Sequence, residues 1–554
     1  MEDKKVQSQS RFSHLAPQAS KLLVIGLDGA TFDLMHSWVQ AGALPTFRSL
    51  MESGASGILM STIPPLTPPA WISSVTGVNP GKHGVFDFIT DKQGYHPRPV
   101  RSSDWRVEPI WLRLGREGFR VGVFNFPAAY PPFELNGFMV SGLLTPTNAT
   151  DYAQPAALVG QIKRAVVDEN NLAYGNYRAF LKDLRRVTEM QTAAAQSLAE
   201  QFNVEFLQVI YDGVDRLQHY FWSSLNEAVT ESETILRHYQ SLDHAVATLL
   251  SSFAPPRYVV IYSDHGFGPL HRRIHVENIL ADLGLLKWRD AAAPALPWWR
   301  KAFTKQRAES LAYKFGFGSL LKRWLPPSWK DALPQEPIQP YRYVDWSGTK
   351  AYFASMPAQS IRINRRGREP EGIVQSGEYE SVRQRVIEGL MRLTDPLTAQ
   401  PVIDRVYRRE EIYHGPCVDQ ADDLIVCARP GYYLVGERGG QSISEPDRNQ
   451  PGWSGTHRAE GILMLNGPGI RAGAQLEPSR IEDIAPTLLY LMGVAVPDYM
   501  DGRVLTGAFE PDHVQAQPVV VQPEPLPSMS SSAEQSKRDD AQMMNRLKDL
   551  GYLE

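Results

Sequence analysis

The chain holds 554 residues, 43% of them apolar and 21% charged, with 42 Gly and 42 Pro, which fits a globular protein of two or three domains and excludes disordered, fibrous and collagen-like chains. Lys+Arg 57 against Asp+Glu 61 leave a formal net charge of -4, so nucleic acid is not an expected partner, although a local basic patch is allowed. The two cysteines, Cys417 and Cys427, permit one disulfide at most and lack the CxxC spacing of a zinc knuckle or redox site.

In chain order, MEDKKVQSQSRFSHLAPQAS (1–20) is polar, lacks the apolar segment of a signal peptide and reads as an arm. No apolar run approaches the ~20 residues that span a bilayer, and a cytoplasmic location is expected. KLLVIGLDG (21–29) reads as a buried strand of a parallel sheet. Further strands are expected at RVGVFNF (120–126), VEFLQVIYDG (204–213), RYVVIYSDHG (257–266) and GILMLNGPG (461–469), with helices at 105–117, 175–202 and 231–252. This alternation predicts an α/β fold, a mostly parallel sheet sandwiched by helices, with ligands beyond the carboxyl ends of the strands.

The first part of this core covers 21–284, and 285–440 reads as an insertion with a smaller α+β cap. Within it, residues 287–330 carry Trp288, Trp298, Trp299, Trp324 and Trp329 and ten Lys/Arg against Asp290 and Glu309. That segment reads as an insertion packing Trp on the core behind a solvated basic face, with a substrate lid or weak contact with a membrane surface as alternatives. The core resumes over 441–507, ending in the helical pattern IEDIAPTLLYLMG. Residues 508–536 read as a linker, and 537–554 as a helix with Met543, Met544, Leu547 and Leu550 on one face.

The strand ends carry the chemistry. Asp28 follows the first strand, Asp215 and His219 sit four apart after VIYDG, Asp264 and His265 follow VVIYS, and His457 precedes the strand at 461–465. Taken singly, a strand-end Asp is a turn former and a lone His a satisfied polar residue. Three carboxylates and three imidazoles at one sheet edge are instead a ligand set for a borderline divalent metal such as Zn²⁺. Thr67, in PPLTPPAWISSVTG, reads as the N-cap of a helix with Pro68 at its first position, and its hydroxyl then stands where free N–H groups favour a phosphate.

The ordered set Asp28, Thr67, Asp215-x-x-x-His219, Asp264-His265 and His457 resembles the two-metal site of the alkaline phosphatase superfamily, in its type I phosphodiesterase/nucleotide pyrophosphatase branch. TPPAWISSVTGVNPGKHGVFDF is similar to that branch's T-x-P-x-x-x-x-x-x-T-G segment, and DGVDRLQHYFW, YSDHGFG, GTHRAEGILMLNGPGI, IEDIAPTLLYLMGVAVPDYMDGRVL and the terminal RLKDLGYLE resemble it too. The resemblance spans roughly 21–275 and 450–506 and the final stretch, and is weakest over 287–440. It implies an alkaline-phosphatase-like fold and two divalent metals, Zn²⁺ first with Mn²⁺ or Fe²⁺ possible. One would be held by Asp28, Thr67, Asp264 and His265, the other by Asp215, His219 and His457. Thr67 is then the nucleophile, and a small-molecule phosphoester the substrate.

The sequence departs from the nucleotide pyrophosphatases where Ala70 replaces the Asn that holds a phosphoryl oxygen, which puts nucleotide substrates in doubt. Asn79, Lys82 and His83 in VNPGKHG, or Arg216, are candidate donors in its place. Sulfatase chemistry is disfavoured, because the nucleophile position reads Thr67-Pro-Pro-Ala-Trp71 and not Cys/Ser-x-Pro-x-Arg. The expectation is a phosphodiesterase working through phosphothreonine. A phosphomonoesterase or phosphonate monoester hydrolase, and a metal-binding scaffold without turnover, are the alternatives.

Overall fold

Strand β1 (Lys21–Leu27) is apolar from its second residue onward, and every residue after Lys21 is buried, as a strand with neighbours and helices on all sides requires. The structure is a computed structural model that describes residues 21–552 apart from 91–94, 96, 147, 163–175, 224–231, 254–256, 290–340, 342, 437–439, 447–452 and 530–536. The arm expected at 1–20 and most of the Trp-rich basic segment lie outside the described residues.

Six more strands of the central sheet follow β1: β2 (Ala55–Met60), β3 (Val121–Phe126), β4 (Gly137–Ser141), β5 (Ala153–Gln154), β6 (Phe206–Tyr211) and β7 (Arg257–Tyr262). Then come the short β8 (Gly266–Pro269), four cap strands β9 (Ala351–Ser355), β10 (Ser360–Ile363), β11 (Ile403–Arg408) and β12 (Leu424–Ala428), and the short β13 (Gly455–Arg458). Strands β14 (Glu460–Asn466) and β15 (Ala474–Arg480) complete the nine-stranded sheet, ordered β15-β2-β14-β7-β1-β6-β3-β4-β5. β14 runs antiparallel to β2 and β7, β5 antiparallel to β4, and the remaining pairs are parallel.

Helices α1 (Thr67–Thr76), α2 (Tyr177–Phe202), α3 (Gly213–Phe221) and α4 (Ser232–Ser252) alternate with the strands, and α5 (Tyr379–Met391), α6 (Ile484–Leu491) and α7 (Lys537–Asp549) follow. Side chains of β1 alternate between the two faces. Leu22 and Val24 join one core with Trp71 of α1, Leu488 of α6 and Leu547 of α7. Leu23, Ile25 and Leu27 join the other with Leu184 of α2, Leu217 of α3 and Leu242 of α4. Among the described residues no helix is long and apolar enough to cross a membrane.

The cap strands form an antiparallel sheet, order β9-β10-β12-β11, packed with α5 around its own core of Ile361, Ile363, Val386, Leu390 and Val426. Tyr413 ties the cap to the main body by donating its hydroxyl to the Ile63 carbonyl at 2.7 Å, in the loop that leads to Thr67. Cys417 and Cys427 are both free thiols.

Two stretches differ from the sequence reading. The helix expected at 105–117 starts only at Ile110, because Pro109 cannot sit in a helix interior and instead occupies the N-cap. The described part of the expected linker is fastened to the core: Pro511–Ala516 is helical, Val521 and Gln522 pair with Val496 and Pro497, and Glu524 meets Arg113 at 2.6 Å. Such a segment has no periodic apolar face for a sequence reading to find, since its attachments are backbone pairs, single charges and scattered apolar side chains such as Phe509, Val514 and Val519.

Candidate metal centre

The strand order explains the site. β6, β1 and β7 are parallel neighbours, with Leu27 opposite Tyr211 and Gly26 opposite Tyr262, so their carboxyl ends stand side by side. Asp28 and Asp264 lie just past two of these ends. Helix α3 begins past the third and carries Asp215 in its first turn and His219 in its last. β14 starts at the same edge, and the hairpin-like pair of β13 with β8, with Phe267 opposite His457, brings His457 beside His265. All six side chains come together, five of them at 5% exposure or less.

Each carboxylate is held by one oxygen and presents the other. Asp28 accepts from the Trp71 indole N–H on Oδ2 at 3.4 Å, Asp264 from the Gly29 N–H on Oδ1 at 3.2 Å, and Asp215 from the Tyr552 hydroxyl on Oδ2 at 3.0 Å. The opposite oxygens, Asp28 Oδ1, Asp264 Oδ2 and Asp215 Oδ1, are buried without a hydrogen-bond donor. Two glycines make this possible. At Gly26 a Cβ would stand 2.3 Å from the Trp71 ring that crosses β1, and Gly29, at φ 71, makes the left-handed turn that aims its N–H at Asp264.

The imidazoles complete the pattern. The Nδ1 atoms of His219, His265 and His457 lie 3.1, 3.0 and 3.0 Å from the carbonyls of Gly455, Gly266 and Pro65. A carbonyl can only accept, so Nδ1 carries the proton and Nε2 presents its lone pair inward. His265 Nε2 lies 3.5 Å from Asp28 Oδ1 and 3.3 Å from Asp264 Oδ2. His457 Nε2 lies 3.1 Å from Asp215 Oδ1, and His219 Nε2 lies 3.4 Å from that same oxygen and 3.1 Å from His457 Nε2. Lone pairs and orphaned carboxylate oxygens thus face one another, an arrangement that divalent cations with mixed N and O ligands satisfy.

Two ligand groups emerge, each with its donor atoms within 4.8 Å of one another: Asp28, Asp264 and His265, and Asp215, His265 and His457. The first corresponds to the set expected with Thr67. The second differs from the expected trio, because His265 stands between both groups and His219 approaches from the side of Asp215 and His457.

Electrostatics agree with a site built for cations. Burial, then the charges of Asp264 and Asp215, holds the Asp28 carboxyl well above the usual range. Burial pushes Asp264 up to about 7, with Asp215 adding to the rise. Asp215 is buried too, yet His219 and His457 hold it well below the usual range. Burial depresses His219 and His265, keeping both imidazoles neutral and able to act as ligands.

Thr67 is 1% exposed, with its Oγ1 3.4 Å from His265 Nε2. Its helix position corrects the sequence reading. The extended Leu66 is the N-cap and Thr67 the first helical residue, so its hydroxyl caps nothing and is left to the site. The anion-binding expectation is corrected as well. Pro68 and Pro69 have no N–H and the Ala70 N–H is bonded to the Leu66 carbonyl at 3.0 Å, leaving little of the helix end to hold a phosphate.

The substrate-binding candidates are engaged elsewhere. Asn79 caps a short helical turn through Gly81 N–H, and donates with Lys82 to Asp501, at 2.9 and 2.6 Å. His83 is wholly buried, bonded to Ser73 and Val85, and burial lowers its pKa to about 3. Arg216 pairs with Asp212 at 2.7 Å on α3. No described contact joins Asn79, Lys82 or His83 to the ligand cluster.

Sequence reasoning missed three residues at the centre. Trp71 anchors Asp28, Trp453 stacks on His219 with ring centroids 3.8 Å apart, and Tyr552 reaches Asp215 across 337 residues. The signals for Trp71 and Tyr552 were the PPAWIS and LGYLE stretches, whose residue types are not the usual ligands of a divalent metal, and Trp453 lies in neither.

The family model of type I phosphodiesterase/nucleotide pyrophosphatase matches residues 22–458. The chain belongs to that family. Its fold is alkaline-phosphatase-like. Human ectonucleotide pyrophosphatase/phosphodiesterase 5 shares its fold at a TM-score of 0.51 and 14% identity, over 90% of this chain and 99% of that one. Phosphonoacetate hydrolase from Sinorhizobium meliloti 1021, in complex with phosphonoacetate, superposes at a TM-score of 0.51 and 16% identity, over 86% of this chain and 95% of that one. The 2,3-bisphosphoglycerate-independent phosphoglycerate mutase of Cereibacter sphaeroides is 31% identical over 100 residues, 18% of this chain and 19% of the mutase. The chain thus matches about a fifth of the length of such curated relatives.

Proposed function

We propose that the chain is a divalent-metal-dependent phosphohydrolase, a phosphodiesterase whose reaction passes through a phosphothreonine at Thr67. The observation that carries this reading is the buried, uncapped Thr67 hydroxyl beside a ring of orphaned carboxylate oxygens and imidazole lone pairs. Asp28, Asp264 and His265 with Thr67, and Asp215, His219 and His457, would hold two metals, with Zn²⁺ the first expectation and Mn²⁺ or Fe²⁺ compatible with the same donors. Bound there, they supply positive charge that favours the Thr67 alkoxide and offsets the charge on the phosphoryl oxygens.

The residues of the chain do the rest. Thr67 Oγ1 gives its proton to solvent and bonds to phosphorus while the bond to the leaving alkoxide breaks, and the alkoxide takes a proton from solvent to depart as the alcohol. A water then bonds to phosphorus as the Thr67 Oγ1–phosphorus bond breaks, which restores the hydroxyl. Two in-line displacements give net retention at phosphorus. Trp71, Gly29 and the backbone carbonyls that accept from Nδ1 hold the ligands in place throughout.

A diester is favoured over a monoester because Lys82 and Arg216, the cations that would meet a second phosphate charge, are already paired with Asp501 and Asp212. The test compares bis(p-nitrophenyl) phosphate with p-nitrophenyl phosphate on metal-loaded protein. The diester is expected to be cleaved faster, and Thr67→Ala to remove at least ~10³-fold of the rate while leaving the metal content intact. A tenfold monoester preference would sink the diesterase reading. Full metal content with no cleavage of either ester would favour the scaffold alternative.

A further inference from the structure

The three carboxylates of the centre share one construction, and one of its parts comes from an unexpected place. Asp28 and Asp264 are steadied by neighbours on the sheet edge, the Trp71 indole and the Gly29 N–H. Asp215 is steadied by Tyr552, which lies beyond α7 and 337 residues further along the chain.

The route by which Tyr552 arrives is well defined. Helix α7 seats Met543 and Leu547 in the core at 1% and 0% exposure, and Asp540 pairs with Arg101 at 2.7 Å. Gly551, at φ 84, ends the helix in a left-handed turn closed by its N–H on the Lys548 carbonyl at 3.0 Å, and the Tyr552 N–H bonds the Leu547 carbonyl at 2.9 Å. A Cβ at Gly551 would stand 2.9 Å from the Trp453 indole nitrogen, so this turn fits only glycine. The turn directs the Tyr552 ring inward, stacked on Phe88 with centroids 4.5 Å apart and edge-on to Trp453 at 5.3 Å. Trp453 in turn covers His219.

A phenol can only donate to a carboxylate, and this one donates to Asp215 Oδ2. That bond fixes the rotation of the carboxylate and turns Oδ1 toward His457 and His219. We propose that Tyr552 is a positioning residue for the metal ligand Asp215, so that docking of the 537–552 segment completes one of the two metal sites. The proposal rests on the metal reading of the centre given above. It concerns the Asp215 side alone, because no described hydrogen bond of Tyr552 reaches Asp28 or Asp264.

The test is a Zn²⁺ titration by calorimetry of the full chain, metal-stripped, as wild type, Tyr552→Phe and Asp215→Asn, with metal-free melting recorded for each. Phenylalanine keeps the ring stacked on Phe88 and removes only the donor. Wild type is expected to bind two ions, Asp215→Asn to lose one, and Tyr552→Phe to weaken one site by about 10–100-fold with the other unchanged. In the Asp215→Asn background, Tyr552→Phe should have no further effect on the remaining site. Unchanged affinity at both sites in Tyr552→Phe overturns the proposal and leaves the metal reading intact. Both sites weakened alike, together with a lower metal-free melting temperature, also overturns it by making Tyr552 a packing residue only. A wild type that binds no Zn²⁺ refutes the metal reading itself.

Discussion

Asp264→Asn separates what the centre costs the fold from what it gives the metal. Asp264 is wholly buried, and its carboxyl is pushed from 3.8 to about 7. A carboxyl with a raised pKa keeps its proton in the fold after the unfolded chain has released it. Its contribution is therefore intact below pH 3.8 and lost as the pH rises through about 7. Against a neutral isostere, the loss is roughly 2 kcal/mol at pH 5 and roughly 4 kcal/mol at pH 8. Asparagine fits the same contacts: its Oδ1 can accept from the Gly29 N–H, and its Nδ2 would take the place of Oδ2, 3.3 Å from the His265 lone pair, and donate to it. In EDTA, urea unfolding followed by tryptophan fluorescence should show Asp264→Asn more stable than wild type, with the gap widening by about 2–3 kcal/mol from pH 5 to pH 8. Zn²⁺ should close the gap, because wild type gains from both sites and Asp264→Asn only from the Asp215 side, a difference of about 4 kcal/mol at a thousandfold excess over the Kd of the lost site. A variant no more stable than wild type at pH 8, or a gap that narrows with pH, refutes the reasoning.

Other expectations follow from single contacts. Gly26→Ala should destabilise the fold by about 1–3 kcal/mol and weaken metal binding, because its Cβ would stand 2.3 Å from the Trp71 ring that anchors Asp28; denaturation and metal titration on the same sample check both. Arg362→Met in the cap should cost about 3–5 kcal/mol, since the 1% exposed Arg362 faces both Asp422 and Glu369, at 3.0 and 3.2 Å, from its place on β10; a cap-specific loss of hydrogen-exchange protection would report it. His83 stays neutral in the fold, with its pKa lowered to about 3 by burial, so it stabilises above pH 6.5 and that contribution is lost as the pH falls toward 3. The stability of His83→Gln should therefore fall less steeply between pH 6.5 and 4, by up to about 1.4 kcal/mol per pH unit, and an equal slope would contradict it.

The parallel strands and the candidate ligand residues at their ends were legible because both leave local marks. A strand buried on two faces must be continuously apolar, as KLLVIGL and RYVVIY are, and a metal needs Asp and His where the chain leaves the sheet. Strands such as AQLEPSR, the edge strand β15, left no such mark, because an exposed edge is not required to be apolar. The substrate donors were misread for a related reason. Asn79 and Lys82 have residue types suited to phosphate, but only the fold shows that Asp501, more than 400 residues later, already engages them.

Sequence alone determined the sheet class and singled out six candidate ligands and a candidate nucleophile, because strand burial and ligand chemistry each restrict residue type position by position. Tertiary structure alone decided how the ligands are held: which carboxylate oxygen is anchored, which imidazole nitrogen faces inward, and that Tyr552 supplies the anchor of Asp215. Those are matters of orientation. A hydrogen bond between residues 337 positions apart depends on where the backbone brings them, and nothing in the local pattern around either residue encodes it.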